Sequence, residues 1–172
     1  MMVKIGERYV GDDQPCYVVA EGGANHNGDL ALAFQMQEAA KRAGADAIKW
    51  QKRLPALAIP RDQHERVKDT PWGQMPYLQY RERLEFWETE YEALARHAHK
   101  IELPWFASCW DHPSLDFIMR YNPPALKVAS ACVTDLDLLH AYADTGKPVI
   151  MSVGMSTRAQ IDRAVTTLKA DR

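Results

Sequence analysis

The sequence predicts an α/β fold of the TIM (β/α)8 barrel type, a parallel sheet covered by helices, with about five βα units in this chain. Three observations predict it. Short apolar runs at residues 16–20, 47–50, 105–107, 125–129 and 148–151 alternate with segments of helical period. The runs are apolar at successive positions, as strands buried on both faces must be. A doubly wound sheet fits the same alternation, but no G-x-G-x-x-G or G-x-x-x-x-G-K-[ST] follows the first run, which weakens its nucleotide-binding version.

The elements follow in order. Residues 3–11 are an extra extended piece, expected to form a hairpin that closes one end, within a hairpin region of residues 1–15. Residues 16–172 then hold the five units of a single domain spanning 1–172. Leu32, Met36 and Ala39 share one face of the first helix, which Asp29 can cap and Gly44 can stop. The stretch from Arg53 to Tyr80 carries Pro55, Pro60, Pro71, Gly73 and Pro76, and a βα loop of that length tends to be functional. Leu84, Trp87, Tyr91, Leu94, Ala98 and Ile101 recur at intervals of three and four, predicting one continuous helix. Leu115, Ile118 and Met119 mark the third helix, with Pro113 in its first turn. Leu136, Leu139 and Ala143 mark the fourth, where Thr134 and Asp137 have the spacing of a capping box. Ile161, Ala164, Val165 and Leu168 mark the fifth. Asn122-Pro123-Pro124 and Gly146-Lys147-Pro148 separate helices from the strands that follow.

Composition excludes several classes. A net charge of -2 provides no basic field for nucleic acid. No apolar run approaches the roughly 20 residues that cross a bilayer, and the mixed, polar start is unlike a signal peptide, so no membrane association is expected. Cys16, Cys109 and Cys132 are an odd number without C-x-x-C spacing, which argues against a disulfide framework and a zinc site and fits the cytoplasm. No metal site is legible, and His97 and His99, two apart on a helix, point in different directions.

Each predicted strand ends in polar chemistry: Glu21, then Lys49 and Gln51, then Ser108 and Cys109, then Lys127 and Ser130, then Ser152. In a barrel these ends converge on the face that carries active sites. Lys49 lies between Ile48 and Trp50, and Lys127 between Leu126 and Val128. A buried ammonium needs a partner. Either Lys49 pairs structurally with Glu21, or the lysines hold an anion bearing phosphate and carboxylate groups, or one is a Schiff-base nucleophile. Glu21 leads into the loop Gly22-Gly23-Ala24-Asn25-His26-Asn27-Gly28 and is the candidate catalytic group. His26 is either a hydrogen bonder that organises this loop or a substrate contact. Cys109 fits a small residue shaping the pocket better than a nucleophile. Trp50, Trp87, Trp105 and Trp110 read as core or pocket wall.

The stretch Ala20-Glu21-Gly22-Gly23-Ala24-Asn25-His26-Asn27-Gly28-Asp29 resembles the A-E-I-G-x-N-H-N-G-D motif of the N-acetylneuraminate (sialic acid) synthase family. Residues 43–51, ending Ile48-Lys49-Trp50-Gln51, are similar to its A-G-A-D-A-V-K-F-Q. Thr70-Pro71-Trp72-Gly73, Phe106-Ala107-Ser108, residues 126–130 and residues 146–155 follow in the family's order. The resemblance implies a barrel enzyme that joins C3 of phosphoenolpyruvate to the aldehyde of N-acetylmannosamine or a related amino sugar, forming a nonulosonic acid and releasing phosphate. It implies that Lys49, Lys127, Ser130 and Ser152 hold phosphoenolpyruvate, that Glu21 and Gln51 face the sugar, and that Asn25, His26, Ser108 and Cys109 belong to the substrate site. It also implies a divalent metal, Mn or Mg, whose ligands come from later strands than these, so this chain alone is expected to be inactive. A homo-oligomer is the expected assembly. Gly22 stands where the family has Ile, Cys109 where it often has Thr, and Val153 where Thr is common. The alternative is a non-catalytic partial barrel that binds a phosphorylated metabolite or assembles with other chains.

Overall fold

The structure, a computed structural model, describes residues 2–169. The expected domain limits at residues 1 and 172 lie outside the described residues.

A hairpin comes first. Strands β1 (Val3–Ile5) and β2 (Arg8–Val10) pair antiparallel around Gly6, whose φ of 57° suits the tight turn. Five parallel strands then form one sheet in sequence order: β3 (Val19–Gly23), β4 (Ala47–Lys52), β7 (Trp105–Cys109), β8 (Leu126–Val128) and β9 (Val149–Met151). Sequential order without a reversal is the winding of a (β/α)8 barrel, over five of its units, and not of a doubly wound sheet.

Alternation divides the strands between two apolar layers. Ile48, Trp50, Ala107, Leu126 and Val128 face the helices in the main core. Ala47, Phe106 and Ala125 face inward, with Val19 and Ile150 packed beside them. Ile5 of the hairpin joins this inner group, so the hairpin plugs the N-terminal mouth of the sheet. Asp46 holds it there through an ion pair with Arg8, and its carboxylate also accepts from the Val18 N–H at 2.7 Å.

That clamp explains one departure from the sequence reading. The first strand starts at Val19, not at residue 16, and Cys16 and Val18 are exposed. Val18 is occupied by Asp46 through both backbone and side chain, so ladder pairing begins one residue later.

Helix α1 (Leu30–Arg42) is capped by Asp29, whose carboxylate accepts from Ala31 and Leu32 N–H, and Gly44 follows its end at φ 77°. The expected helix from Leu84 to Ile101 is two helices. Helix α3 (Tyr77–Leu84) stops, residues 85–87 are neither helix nor strand, with Glu85 and Trp87 extended, and α4 (Glu88–Lys100) restarts with Glu90 bonding back to the Trp87 N–H at 3.0 Å. The apolar period runs through the break because Leu84 is buried on one side of it and Tyr91, Leu94 and Ala98 in the main core on the other. Trp87, expected as core or pocket wall, is 48% exposed at the start of α4.

The long stretch after β4 has structure of its own. It holds the short helix α2 (Pro55–Ala58), a 3-10 turn at Arg61–Gln63, and the hairpin β5 (Val67–Thr70) and β6 (Gly73–Pro76). Helix α5 (His112–Met119) is capped by Asp111, with Pro113 in its first turn. The cap of α6 (Leu136–Asp144) is Asp135, which accepts from Leu138 N–H at 3.1 Å; the cap thus falls one residue after Thr134, and the expected box is replaced by a simple cap because Leu138 at the third helical position has no acceptor. Helix α7 (Arg158–Lys169) closes the described chain. Among the described residues no helix is long and apolar enough to cross a membrane.

Candidate active site

The inner face changes character along the strands. Its N-terminal half is the apolar group around Phe106, and its C-terminal half is polar. Glu21 lies opposite Lys49 in the register, and Gln51, Ser108 and Lys127 lie opposite one another across β4, β7 and β8. Ser152 follows β9, where its N–H donates to the Val128 carbonyl at 3.1 Å. Ser130 opens a 3-10 turn, Ser130–Cys132, directly after β8. Glu21, Lys49, Gln51, Ser108, Lys127, Ser130 and Ser152 thus gather at one end.

The two lysines differ. Lys49 is 5% exposed, and its ammonium lies 2.6 Å from Oε1 of Glu21, so the pairing considered from the sequence is present. Glu21 is largely open to solvent and can turn to a ligand. Lys127 has no carboxylate within ion-pairing distance among the described residues and donates to the Val128 carbonyl at 2.9 Å. Burial first, and then the positive charge of Lys49, hold its pKa below the usual lysine range, with Glu21 opposing. With Glu21 paired to Lys49, the charge of Lys127 is left for an anion to balance.

The glycine loop is fastened from beneath by His26. Its ring stacks on Phe86, centroids 3.8 Å apart, and meets Trp50 edge-on at 5.8 Å. Nδ1 accepts from the Gly28 N–H at 3.1 Å, and burial pushes the pKa down to about 4, so the ring is neutral near pH 7. The structure therefore places His26 as an organiser of the loop, buried at 4% exposure. Asn25 is exposed on the loop's outer side, with its amide near Gly23. Gly28 has a φ of 75°, and a Cβ there would meet the Arg83 carbonyl at 2.5 Å, so the loop packs on the end of α3.

Cys109 is not on this face. Ser108 points inward, while Cys109, fully buried, lies among the residues between sheet and helices. Strand parity forces the split, since neighbours in a strand face opposite ways. Burial raises its thiol pKa well above the ordinary range. Its backbone is held by Tyr142, whose hydroxyl accepts from Cys109 N–H at 3.0 Å and lies 2.9 Å from the carbonyls of both Cys109 and Lys127. Tyr142 thereby ties β7 to β8 beside Lys127, a role that the sequence reading missed.

It also missed a buried charge cluster at the end of β4. Lys52 donates to the Phe86 carbonyl at 2.7 Å and sits 3.6 Å from Glu85, with the Trp87 ring 4.2 Å away. Arg53 lies 3.3 Å from Glu85 and 4.2 Å over the Trp110 ring. Burial raises the Glu85 pKa, while Lys52 and then Arg53 pull it down. The adjacent basic pair at positions 52 and 53 was the available signal.

Gly22 has a local explanation. A Cβ there would lie 2.6 Å from Cζ3 of Trp50. The indole occupies the space that a side chain at 22 would take, so Gly at 22 and Trp at 50 are complementary where the family pattern has Ile and Phe.

Metal binding finds no support in the donor set. Among the described residues no group of three or more His, Cys, Asp or Glu side chains could hold a metal ion.

Comparison with known proteins agrees with this fold. N-acetylneuraminate-9-phosphate synthase of Homo sapiens is 34% identical over 152 residues, covering 87% of this chain and 42% of that protein. N,N'-diacetyllegionaminic acid synthase of Legionella pneumophila is 29% identical over 161 residues, covering 92% and 45%. The crystal structure of N-acetylneuraminic acid (sialic acid) synthetase from Leptospira borgpetersenii superposes with a TM-score of 0.87 at 29% identity, over 99% of this chain and 55% of that one. The chain spans less than half the length of these curated relatives. The NeuB family profile matches residues 36–172, and the chain belongs to the NeuB family.

Proposed function

We propose that this chain carries the phosphoenolpyruvate-binding part of a synthase that condenses phosphoenolpyruvate with an N-acetylmannosamine-type sugar to a nonulosonic acid. The observation that carries the reading is two lysines at the polar end of the inner face, Lys49 paired with Glu21 at 2.6 Å and Lys127 with no carboxylate within ion-pairing distance among the described residues. Phosphoenolpyruvate brings a phosphate and a carboxylate, the complement of two ammonium groups with hydroxyls from Ser108, Ser130 and Ser152 beside them. On binding, Glu21 would exchange Lys49 for the sugar and act as acid/base or orienting group, with Gln51 beside it. C3 of the enolpyruvate attacks the aldehyde carbon, water adds at C2, and phosphate leaves with cleavage of its C–O bond. Cations fixed near the departing phosphate stabilise the charge it gains. The divalent metal that the family resemblance implies would polarise the aldehyde, but the donors described in this chain do not fit one, and the steps assigned to the chain are binding and orientation. Its relatives' names divide between phosphorylated and unphosphorylated sugars, and the substrate class proposed covers both.

Calorimetric titration with phosphoenolpyruvate tests this. Lys127→Ala should abolish measurable binding, and N-acetylmannosamine without phosphoenolpyruvate should show no comparable change. Equal phosphoenolpyruvate affinity in the variant would refute the reading. A borohydride-trapped adduct on Lys127 or Lys49 would replace it with Schiff-base chemistry.

A further inference from the structure

The Gln51 side chain has a fixed orientation, and its cause lies just beyond the end of β4. An Arg53 Nη2–H donates to Oε1 of Gln51. Guanidinium has donors and no acceptor, so the amide oxygen must face Arg53 and the amide nitrogen must face away from it. Away from it lies Gly23, at φ 55°. A Cβ built on Gly23 would lie 3.0 Å from Oε1 of Glu21, 3.8 Å from Nε2 of Gln51 and 3.9 Å from Nδ2 of Asn25. The missing side chain leaves a space edged by one carboxylate acceptor and two amide donors.

Arg53 is itself buried between a carboxylate and an aromatic ring. It is 3% exposed, with Glu85 3.3 Å from its Nε and the Trp110 ring against its face at 4.2 Å. Its backbone N–H donates to the same Glu85 carboxylate at 3.3 Å. Ion pairing alone does not account for it, because Lys52 already supplies a countercharge to Glu85 and a second buried cation adds desolvation cost.

We propose that Arg53, anchored by Glu85 and Trp110, is a positioning residue that turns Gln51 into a hydrogen-bond donor toward the space above Gly23. The inference rests on the function proposed above and deepens it. The ligand group bound there offers an oxygen acceptor to Gln51 and a hydroxyl to Glu21, as a sugar's aldehyde or hydroxyl oxygens do. Arg53 touches no reacting atom; it acts through Gln51.

The test reads the Gln51 side-chain amide by nitrogen–proton NMR on the labelled chain, with the resonance identified by its loss in Gln51→Ala. Without ligand, Arg53→Met should shift that pair and bring its two protons closer to equivalence, while Arg53→Lys, which keeps a donor, should restore most of the separation. With phosphoenolpyruvate saturating, Arg53→Met should weaken N-acetylmannosamine binding by about fivefold, the worth of one net hydrogen bond, and should add nothing in a Gln51→Ala background. Where Arg53→Met does not fold, Glu85→Gln loosens the same anchor and must move the same resonance. An unmoved Gln51 pair, or an equal loss in both backgrounds, overturns the proposal. A wild-type chain that binds neither ligand counts against the proposed function, while the ligand-free spectrum still decides the role of Arg53.

Discussion

Lowering the pH should loosen the loop through one residue, His26. Burial holds its pKa down from 6.5 to about 4, with Asp29 opposing weakly. The unfolded chain takes up this proton near pH 6.5, and the folded chain resists it until about 4. The stability it contributes is therefore complete above 6.5 and is lost as the pH falls through that window. Linkage between those two values gives a loss of about 2 kcal/mol between pH 7 and pH 5. With a urea slope of about 2 kcal/mol per molar for a chain of this size, the midpoint should fall by roughly 1 M. His26→Asn keeps an acceptor for the Gly28 N–H and cannot titrate. It should be less stable at pH 7, having lost the stack on Phe86, yet its midpoint should fall by about 1 M less than wild type over the same range. Urea denaturation followed by tryptophan fluorescence at both pH values measures the difference. Equal pH dependence in the two proteins would refute the claim that a buried neutral imidazole fastens this loop.

Three further outcomes are expected. Tyr142→Phe leaves the Cys109 N–H and two carbonyls short of a partner between β7 and β8, and should cost about 2–4 kcal/mol, read as a drop in Tm. Gly22→Ile should cost about 1–3 kcal/mol through its clash with Trp50, and Trp50→Phe in the same chain should recover most of it, measured as a double-mutant cycle. Glu85→Ala strands two buried cations and should destabilise by about 3–5 kcal/mol, well beyond any exposed pair such as Arg158–Asp162.

What was legible in the sequence was what local pattern encodes. Lysine in an apolar run, as at 49 and 127, can only be a cation on a buried strand, and its position along the run places it near the strand's end. The side it faces depends on parity, which a continuous apolar run does not display; hence Ser108 and Cys109 looked equivalent and are not. The division of α3 from α4 was hidden because Leu84 and Tyr91 keep helical spacing across it. Lys52, Arg53 and Glu85 meet across more than 30 intervening residues, and only the fold brings them together. His26 was recognised as part of a motif, but its stack on Phe86 is a tertiary contact that no spacing announces.

The short junction between α3 and α4 serves two loops at once. Phe86 supports His26 through its ring and Lys52 through its carbonyl, and Glu85 holds Arg53. One fastener for two flaps makes them a single cooperative unit in slow opening. Amide protons of residues 24–28 and of residues 53 and 54 should then exchange with solvent at a common opening free energy, although they are distant in sequence. Motion at this mouth would be correlated by construction, with the glycine loop and the long loop released together or not at all.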